Sequence, residues 1–203
     1  MDLSRALQVI ASGGCLVYPT ETLYALGADG TCVSAAAHIY LLKGRDPAKP
    51  LPLIIAGLDQ LDQVTLAQPP DLERLAELFW PGPLSVLVPT RPGLPAVVSD
   101  QYGLTSVRVT SHHLAARLCR EAGRPLIATS ANLSGHLATA RLADLDPELL
   151  GRVDCVVEAG PRPAGGPPST VVGLLGGGVL AVHRQGAVSL DALRHAGFDP
   201  RSV

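Results

Sequence analysis

The spacing of apolar positions changes period several times along the chain, and each change marks an element. Leu3, Ala6, Leu7 and Ile10 recur at the three-to-four spacing of a helix face, and Gly13-Gly14 predicts its end. CLVYPT at 15–20 is short and apolar, which predicts a buried strand entering a proline-containing loop. SAAAHIYLLKG at 34–44 returns to the helical period, with Gly44 as its stop. LPLIIAG at 51–57 is a second apolar strand, DLERLAELFWPG at 71–82 a helix closed by Pro81-Gly82, and LSVLVPT at 84–90 a third strand. LTSVRVT at 104–110 is strand-like, and SHHLAARLCREAG at 111–123 is a helix with a serine cap and a glycine stop. PLIATSANLSG at 125–135 passes from strand into a polar loop, and DCVVEAG at 154–160 is another strand. STVVGLLGGGVLAVHRQG at 169–186 reads as two strands joined by a glycine turn at 176–178, and SLDALRHAGF at 189–198 finishes as a Ser-capped helix.

Strands slightly outnumber helices, and helical crossovers alternate with hairpins. That combination predicts an α/β fold whose sheet is twisted, mixed and open, rather than doubly wound and parallel. GPRPAGGPPS at 160–169 is too polar and too rigid for core, and strands continue beyond it, so it reads as a loop and not a linker. No internal repeat is visible. The 203 residues suit a single domain over 1–203, with a core over about 5–186 and the closing helix at 189–198.

Composition narrows the function classes. Hydrophobic residues make up 47% and aromatics 3%, so the core is built from Ala, Val, Leu and Ile. A net charge of −2 gives no global pull toward nucleic acid or membrane, although a local basic groove is compatible with it. The first residues lack the basic and apolar regions of a signal peptide, and no apolar run approaches the ~20 residues of a membrane span. A soluble, cytoplasmic protein without a membrane partner is expected. Cys15, Cys32, Cys119 and Cys155 are scattered without a CxxC or other metal-ligand spacing, which predicts small buried thiols in a reducing compartment.

Polar segments stand at the ends of apolar strands, where α/β sheets place ligands: YPTET (18–22), KGRDPAK (43–49), TSANLSG (129–135), PST (168–170) and HRQG (183–186). Any one of them alone is ordinarily a turn or a helix cap. The second is unusual because Lys43 and Lys49 are the only lysines in the chain, the other fourteen basic residues being arginine. Lys43, Arg45 and Lys49 bring three positive charges around Gly44; a lysine acts on phosphate as a compact point charge, an arginine as a planar fork. Ser130 and Asn132 add short donors suited to phosphate or ribose oxygens. From spacing alone this is an anion-binding loop. No GxxxxGK[ST] occurs, and GLLGGGV at 173–179 has no helix after it, so neither a P-loop nor a dinucleotide fingerprint is present. There is no GxSxG or HExxH, and His112-His113 opens a helix, where capping or solvent exposure outweighs metal ligation. With no nucleophile paired to a base, chemistry without a covalent enzyme intermediate is expected.

The order YPTETLYALGADG, KGRDPAKPLPLII, SVRVTSHHLAARL, TSANLSG, PSTVV and HRQG resembles the YrdC-like family, the threonylcarbamoyl-AMP synthases. The likeness covers roughly residues 5–186, and its most specific part is a KxR pair about 85 residues before an SxN pair, downstream of PTET. It is similar to the short, single-domain form of the family. The resemblance implies a twisted α/β sheet with a large, concave, positively lined groove. It implies that L-threonine, bicarbonate and ATP give threonylcarbamoyl-AMP and pyrophosphate, with Mg²⁺ carried mainly by the nucleotide. Separate tRNA threonylcarbamoyl-transfer proteins would then modify the adenosine beside the anticodon in tRNAs reading ANN codons; a weak contact with tRNA or other double-stranded RNA belongs to the same expectation.

Carried over by position, Lys43, Arg45, Ser130 and Asn132 match the set that holds the nucleotide and its phosphates, joined by Lys49, Ala138 and Arg184. Thr22, Arg108 and Ser169 match the threonine pocket, with Arg108 as the partner of its carboxylate. Ala25 stands where glycine is usual, Leu104 where threonine is common (with Thr105 as a substitute), and Ile54 where some members carry histidine. The rival readings are a carbamoyl-adenylate enzyme of the hydrogenase-maturation type, and an RNA- or ribosome-binding module using the same groove. The first lacks its usual accompanying modules here, and the second lacks aromatic stacking platforms. Lys43→Ala and Arg45→Ala are expected to lose activity with the fold intact, because both lie in a polar loop.

Overall fold

In the computed structural model, which describes residues 3–46 and 48–203, eleven strands and six α-helices follow one another in chain order. Met1 and Asp2 of the N-terminal stretch and Pro47 of the basic loop lie outside the described residues. Helix α1 (Leu3–Ala11) leads into the hairpin β1 (Leu16–Pro19) and β2 (Tyr24–Gly27), then α2 (Val33–Lys43) and β3 (Leu53–Ile55). Helix α3 (Pro70–Phe79), β4 (Leu84–Pro89), β5 (Leu104–Val109) and α4 (His113–Ala122) come next. They are followed by β6 (Leu126–Ile127), β7 (Thr129–Ser130), α5 (Pro147–Leu150) and β8 (Cys155–Val156). The chain closes with β9 (Thr170–Gly176), β10 (Val179–Arg184), α6 (Leu190–His195) and β11 (Asp199–Ser202).

The fold is mixed α/β and open-sheeted, but it has two sheets where the sequence pattern predicted one. Four strands run in the order β7-β2-β1-β8 and seven in the order β11-β10-β9-β4-β5-β3-β6. Both are mixed: β1–β2 and β4–β5 are antiparallel, whereas β1–β8, β3–β5 and β4–β9 are parallel. Periodicity cannot reveal the division, because pairing between sheets leaves no spacing signal in either strand. The sheets meet where the chain just after β2 pairs with β6: the Ile127 amide donates to the Ala28 carbonyl and the Gly30 amide to the Pro125 carbonyl, each at 2.9 Å, and the fully buried Tyr18 hydroxyl donates to the Ile127 carbonyl across 2.7 Å.

Strands buried on both sides explain the near-continuous apolar runs. Val17 of β1 and Leu53 and Ile55 of β3 enter the larger core with the face of α2, while Leu16, Tyr18 and Ile54 point to a second core under α1 and α4. Strand β5 instead alternates apolar with polar. Val107 and Val109 join the larger core; Ser106 and Arg108 alternate with them and face the other way. That alternation puts a charged side chain on the inside of the molecule.

Several helix ends match their signals and others do not. Gly44 and Gly123 close α2 and α4 in the left-handed conformation, and Ser189 caps α6 through the Ala192 amide. The predicted Ser111 cap of α4 is replaced by His112, whose Nδ1 accepts from the Ala115 amide. The turn at 176–178 is a hairpin turn, as predicted: all three glycines have positive φ, between 62° and 86°, which other residues adopt only at a cost. Strands β2 and β11 had no counterpart in the sequence reading, and the last predicted helix stops at His195. None of the four cysteines is in a disulfide among the described residues; three are buried and Cys32 is half-buried. No helix among the described residues is long and apolar enough to cross a membrane.

Candidate functional site

The polar strand ends converge on one cavity of about 310 Å³. The β1–β2 turn contributes Thr20 and Thr22, the loop after α2 contributes Arg45, β5 contributes Arg108, and β7 contributes Thr129 and Ser130. Ala138, Ser169 and Arg184 complete the predicted residues on its wall. Lys43, Lys49 and Asn132 line a neighbouring depression of about 500 Å³, which Arg45 and Ser130 also line. The ten sequence-predicted residues thus fall on two adjoining surfaces that share Arg45 and Ser130.

Three guanidinium groups meet on the main cavity, and no carboxylate lines it among the described residues. Arg184 donates through Nε to the Ser169 carbonyl at 3.0 Å and through a terminal nitrogen to the Ser169 hydroxyl at 3.1 Å. The residue is largely exposed, yet its head group sits in partly buried hydrogen bonds. Burial and then the neighbouring charges of Arg108 and Arg45 push its pKa down. Arg45 is fixed by carbonyls of its own loop, Nε to Lys49 at 2.8 Å and a terminal nitrogen to Pro50 at 3.0 Å, and reaches the Thr129 hydroxyl at 3.3 Å. Neither Arg45 nor Arg184 is in an ion pair among the described residues. Such a concentration of unpaired positive charge stabilises an anion.

Arg108 is different. It is 4% exposed and its Nε donates to Glu21 Oε1 at 2.6 Å, while Thr110 Oγ1 donates to Glu21 Oε2 at 2.6 Å. Burial alone would raise the Glu21 pKa; the Arg108 charge and the Thr110 hydroxyl outweigh it and hold the carboxyl below its ordinary range. Glu21 is the residue the sequence reading missed. It lies inside the quoted PTET segment, but its partner is 87 positions away and the carboxylate stands behind the cavity wall rather than on it.

Lys43, the last residue of α2, is 3% exposed, although it sits beside a polar loop. Its ammonium donates to the Ser130 carbonyl, to the Asn132 carbonyl at 2.7 Å and to Asn132 Oδ1 at 3.3 Å. Burial, and then the charge of Arg45, lower its pKa to about 7. Asn132 in turn donates through Nδ2 to the carbonyls of His136 at 2.7 Å and Leu133 at 2.9 Å. Lys43 therefore bolts the end of α2 to the SxN loop, which corrects the expectation that it lies in a polar loop. Lys49 is exposed, and its carbonyl, which accepts from Tyr40 at 2.6 Å and from Arg45, is what holds the loop.

The departures are accommodated. Ala25 is buried in regular register between Tyr18 and Ser130. Ile54 is fully buried beside Arg108 in the parallel β3–β5 pair. Thr105 lies on the face of β5 opposite Arg108, with its hydroxyl buried and without a hydrogen-bond partner among the described residues. It does not reach the cavity and does not substitute for a contact at Leu104.

The Sua5–YciO–YrdC family model, described as telomere recombination, matches residues 8–186. The chain belongs to that family. It is 33% identical over 165 residues to the threonylcarbamoyl-AMP synthase of Pyrococcus abyssi, covering 81% of this chain and 48% of that protein. The chain thus spans about half the length of that relative. It is 35% identical to the threonylcarbamoyl-AMP synthase of Methylobacillus flagellatus, over 87% of this chain and 98% of that one. The crystal structure of P. abyssi Sua5 complexed with L-threonine superposes with a TM-score of 0.90 at 29% identity, over 98% of this chain and 58% of that one.

Proposed function

We propose that the chain is an L-threonylcarbamoyladenylate synthase, a nucleotidyltransferase. The observation that carries this reading is the division of charge on one cavity wall: Arg108 neutralised by Glu21, Arg45 and Arg184 left unpaired. The first suits the carboxylate of a zwitterionic amino acid, and the second suits a polyphosphate. Two relatives named threonylcarbamoyl-AMP synthase and a family member crystallised with L-threonine support the same reading.

In this proposal Arg108, Thr22 and Ser169 hold L-threonine. Arg45, Arg184, Ser130 and Asn132 hold ATP, with Ala138 beside the base and Lys43 and Lys49 on the phosphate side. The threonine amine adds to bicarbonate-derived carbon with loss of water, giving an N-carboxylate. A carboxylate oxygen then attacks the α-phosphorus and pyrophosphate leaves, so a new C–O–P bond replaces the P–O–P bond. The chain contributes positioning and charge neutralisation, not a nucleophile. Mg²⁺ would neutralise phosphate charge. The cavity wall offers it hydroxyls and carbonyls, and no cluster of three acidic, histidine or cysteine side chains occurs among the described residues, so the phosphates and water would carry most of its coordination. The product passes to separate tRNA threonylcarbamoyl-transfer proteins in the cytoplasm.

The test is pyrophosphate release from ATP with L-threonine or bicarbonate omitted in turn. Release that requires both supports the assignment; release indifferent to either overturns it.

A further inference from the structure

We propose that Glu21, which does not line the cavity, is a positioning residue that decides which anion the Arg108 end accepts. This rests on the threonine assignment above and deepens it.

Both Glu21 oxygens are taken by donors, Arg108 on one and Thr110 on the other, each at 2.6 Å, and the paired side chains are 9% and 5% exposed. The bond uses the inner nitrogen of the arginine. Its terminal nitrogens have no hydrogen bond among the described residues, and Arg108 lines the cavity. A guanidinium held by Nε cannot rotate its fork away, so the free edge stays presented to a planar carboxylate. The same residue anchors the opposite wall: the Glu21 carbonyl accepts from the Ala164 amide at 3.3 Å, and the Thr22 carbonyl accepts from the Gly165 amide at 2.9 Å. That strap carries Gly166, Pro168 and Ser169 into the cavity.

Charge gives the second consequence. With Glu21 ionised behind it, Arg108 presents hydrogen-bond donors without net positive charge. Among the described residues Arg45 and Arg184 have no such counter-ion. A single carboxylate whose own ammonium balances it is tolerated at the first position, whereas a multiply charged phosphate is repelled by the buried carboxylate and directed to the second. Glu21 thus keeps phosphates off the amino-acid end.

The experiment is steady-state kinetics of wild type, Glu21→Gln and Thr110→Val, with inorganic phosphate as the competing anion and melting temperatures recorded for each. Glu21→Gln keeps the shape and an acceptor for Nε but removes the charge. It is expected to raise KM for L-threonine about tenfold with KM for ATP within twofold, because Arg108 loses the ionised partner that holds its fork toward the amino acid. It should also make inorganic phosphate competitive with L-threonine, which it is not in wild type. Thr110→Val, which frees one Glu21 oxygen, should move KM for L-threonine the same way by about threefold; it carries the test if Glu21→Gln does not fold. An unchanged KM for L-threonine in a folded variant overturns the inference, and so does a parallel rise of both KM values with a matching loss of melting temperature. If wild type itself shows no threonine-dependent turnover, the function assignment has failed and this inference falls with it; if wild type is active and Glu21→Gln behaves identically, only the inference has failed.

Discussion

The two ends of the site solve the problem of a buried cation in opposite ways. Arg108 is held by an ionised partner, Glu21, at 2.6 Å. Lys43 is held by two main-chain carbonyls and an amide oxygen, with no carboxylate partner among the described residues. The carboxylate fixes the guanidinium in place, so the Arg108 end is rigid. Neutral oxygens compensate only part of the desolvation cost, so the ammonium is poised close to neutral pH. One end is built to be constant, and the other to respond to what binds.

Removing the charge partner at the rigid end should do the most damage. Arg108→Ala leaves Glu21 buried without its cation, an arrangement that costs about 3–5 kcal/mol of stability. Chemical denaturation at pH 7 would measure it, and threonine-dependent pyrophosphate release should fall about a hundredfold. The double variant Arg108→Ala, Glu21→Gln should recover much of the stability and none of the activity. Recovery of neither would break the contrast.

At the responsive end, Lys43→Met should cost about 1–3 kcal/mol, because the Ser130 and Asn132 carbonyls lose their donor while the cost of burying a charge disappears. That loss is smaller than at Arg108, although both residues are almost fully buried. An equal or larger loss would mean that the neutral oxygens hold the ammonium as firmly as Glu21 holds the guanidinium.

Lys43 also predicts a pH dependence. Its pKa is lowered from the ordinary 10.5 to about 7. Between those values the unfolded chain carries the proton and the folded chain does not, so this group makes stability rise with pH from about 7 upward. Nucleotide binding should move the opposite way, because phosphate is attracted to the ammonium and not to the amine. KM for ATP is expected to rise by up to about tenfold from pH 7 to 9, and the slope to disappear in Lys43→Met. A flat wild-type profile would show that the ammonium stays charged throughout.

Much of the fold was legible because each element carries its own period. The strand-like LTSVRVT is β5 and the glycine run at 176–178 is a hairpin turn, although the face on which Arg108 stands emerged only from the structure. Strand β11, Asp199–Ser202, was not legible: it is polar, contains Pro200, and pairs along the edge with β10 through its backbone. The site divides in the same way. Spacing found the basic loop, and the family pattern supplied the matching residues. Neither gave Glu21 a role, since a buried acid acquires its meaning from a partner that only the β1–β2 turn and β5 bring together.

The smallest predicted effect concerns the support behind the rigid end. His112 is 5% exposed; its Nδ1 accepts from the Ala115 amide, which leaves Nε2 as the protonated nitrogen, and Nε2 donates to the Pro161 carbonyl at 2.9 Å. Its own amide donates to Thr110 Oγ1, the hydroxyl that holds Glu21. His112 therefore ties the cap of α4 and the proline-rich strap to the carboxylate behind Arg108. His112→Ala should lose about 1 kcal/mol, the size of a missing helix cap, and raise KM for L-threonine by no more than about threefold, because the main-chain link to Thr110 survives the substitution. His112→Asn restores a capping acceptor but not the reach to Pro161. Stability recovered with KM still raised would place the strap contact on the threonine side; recovery of both would assign His112 to the helix alone.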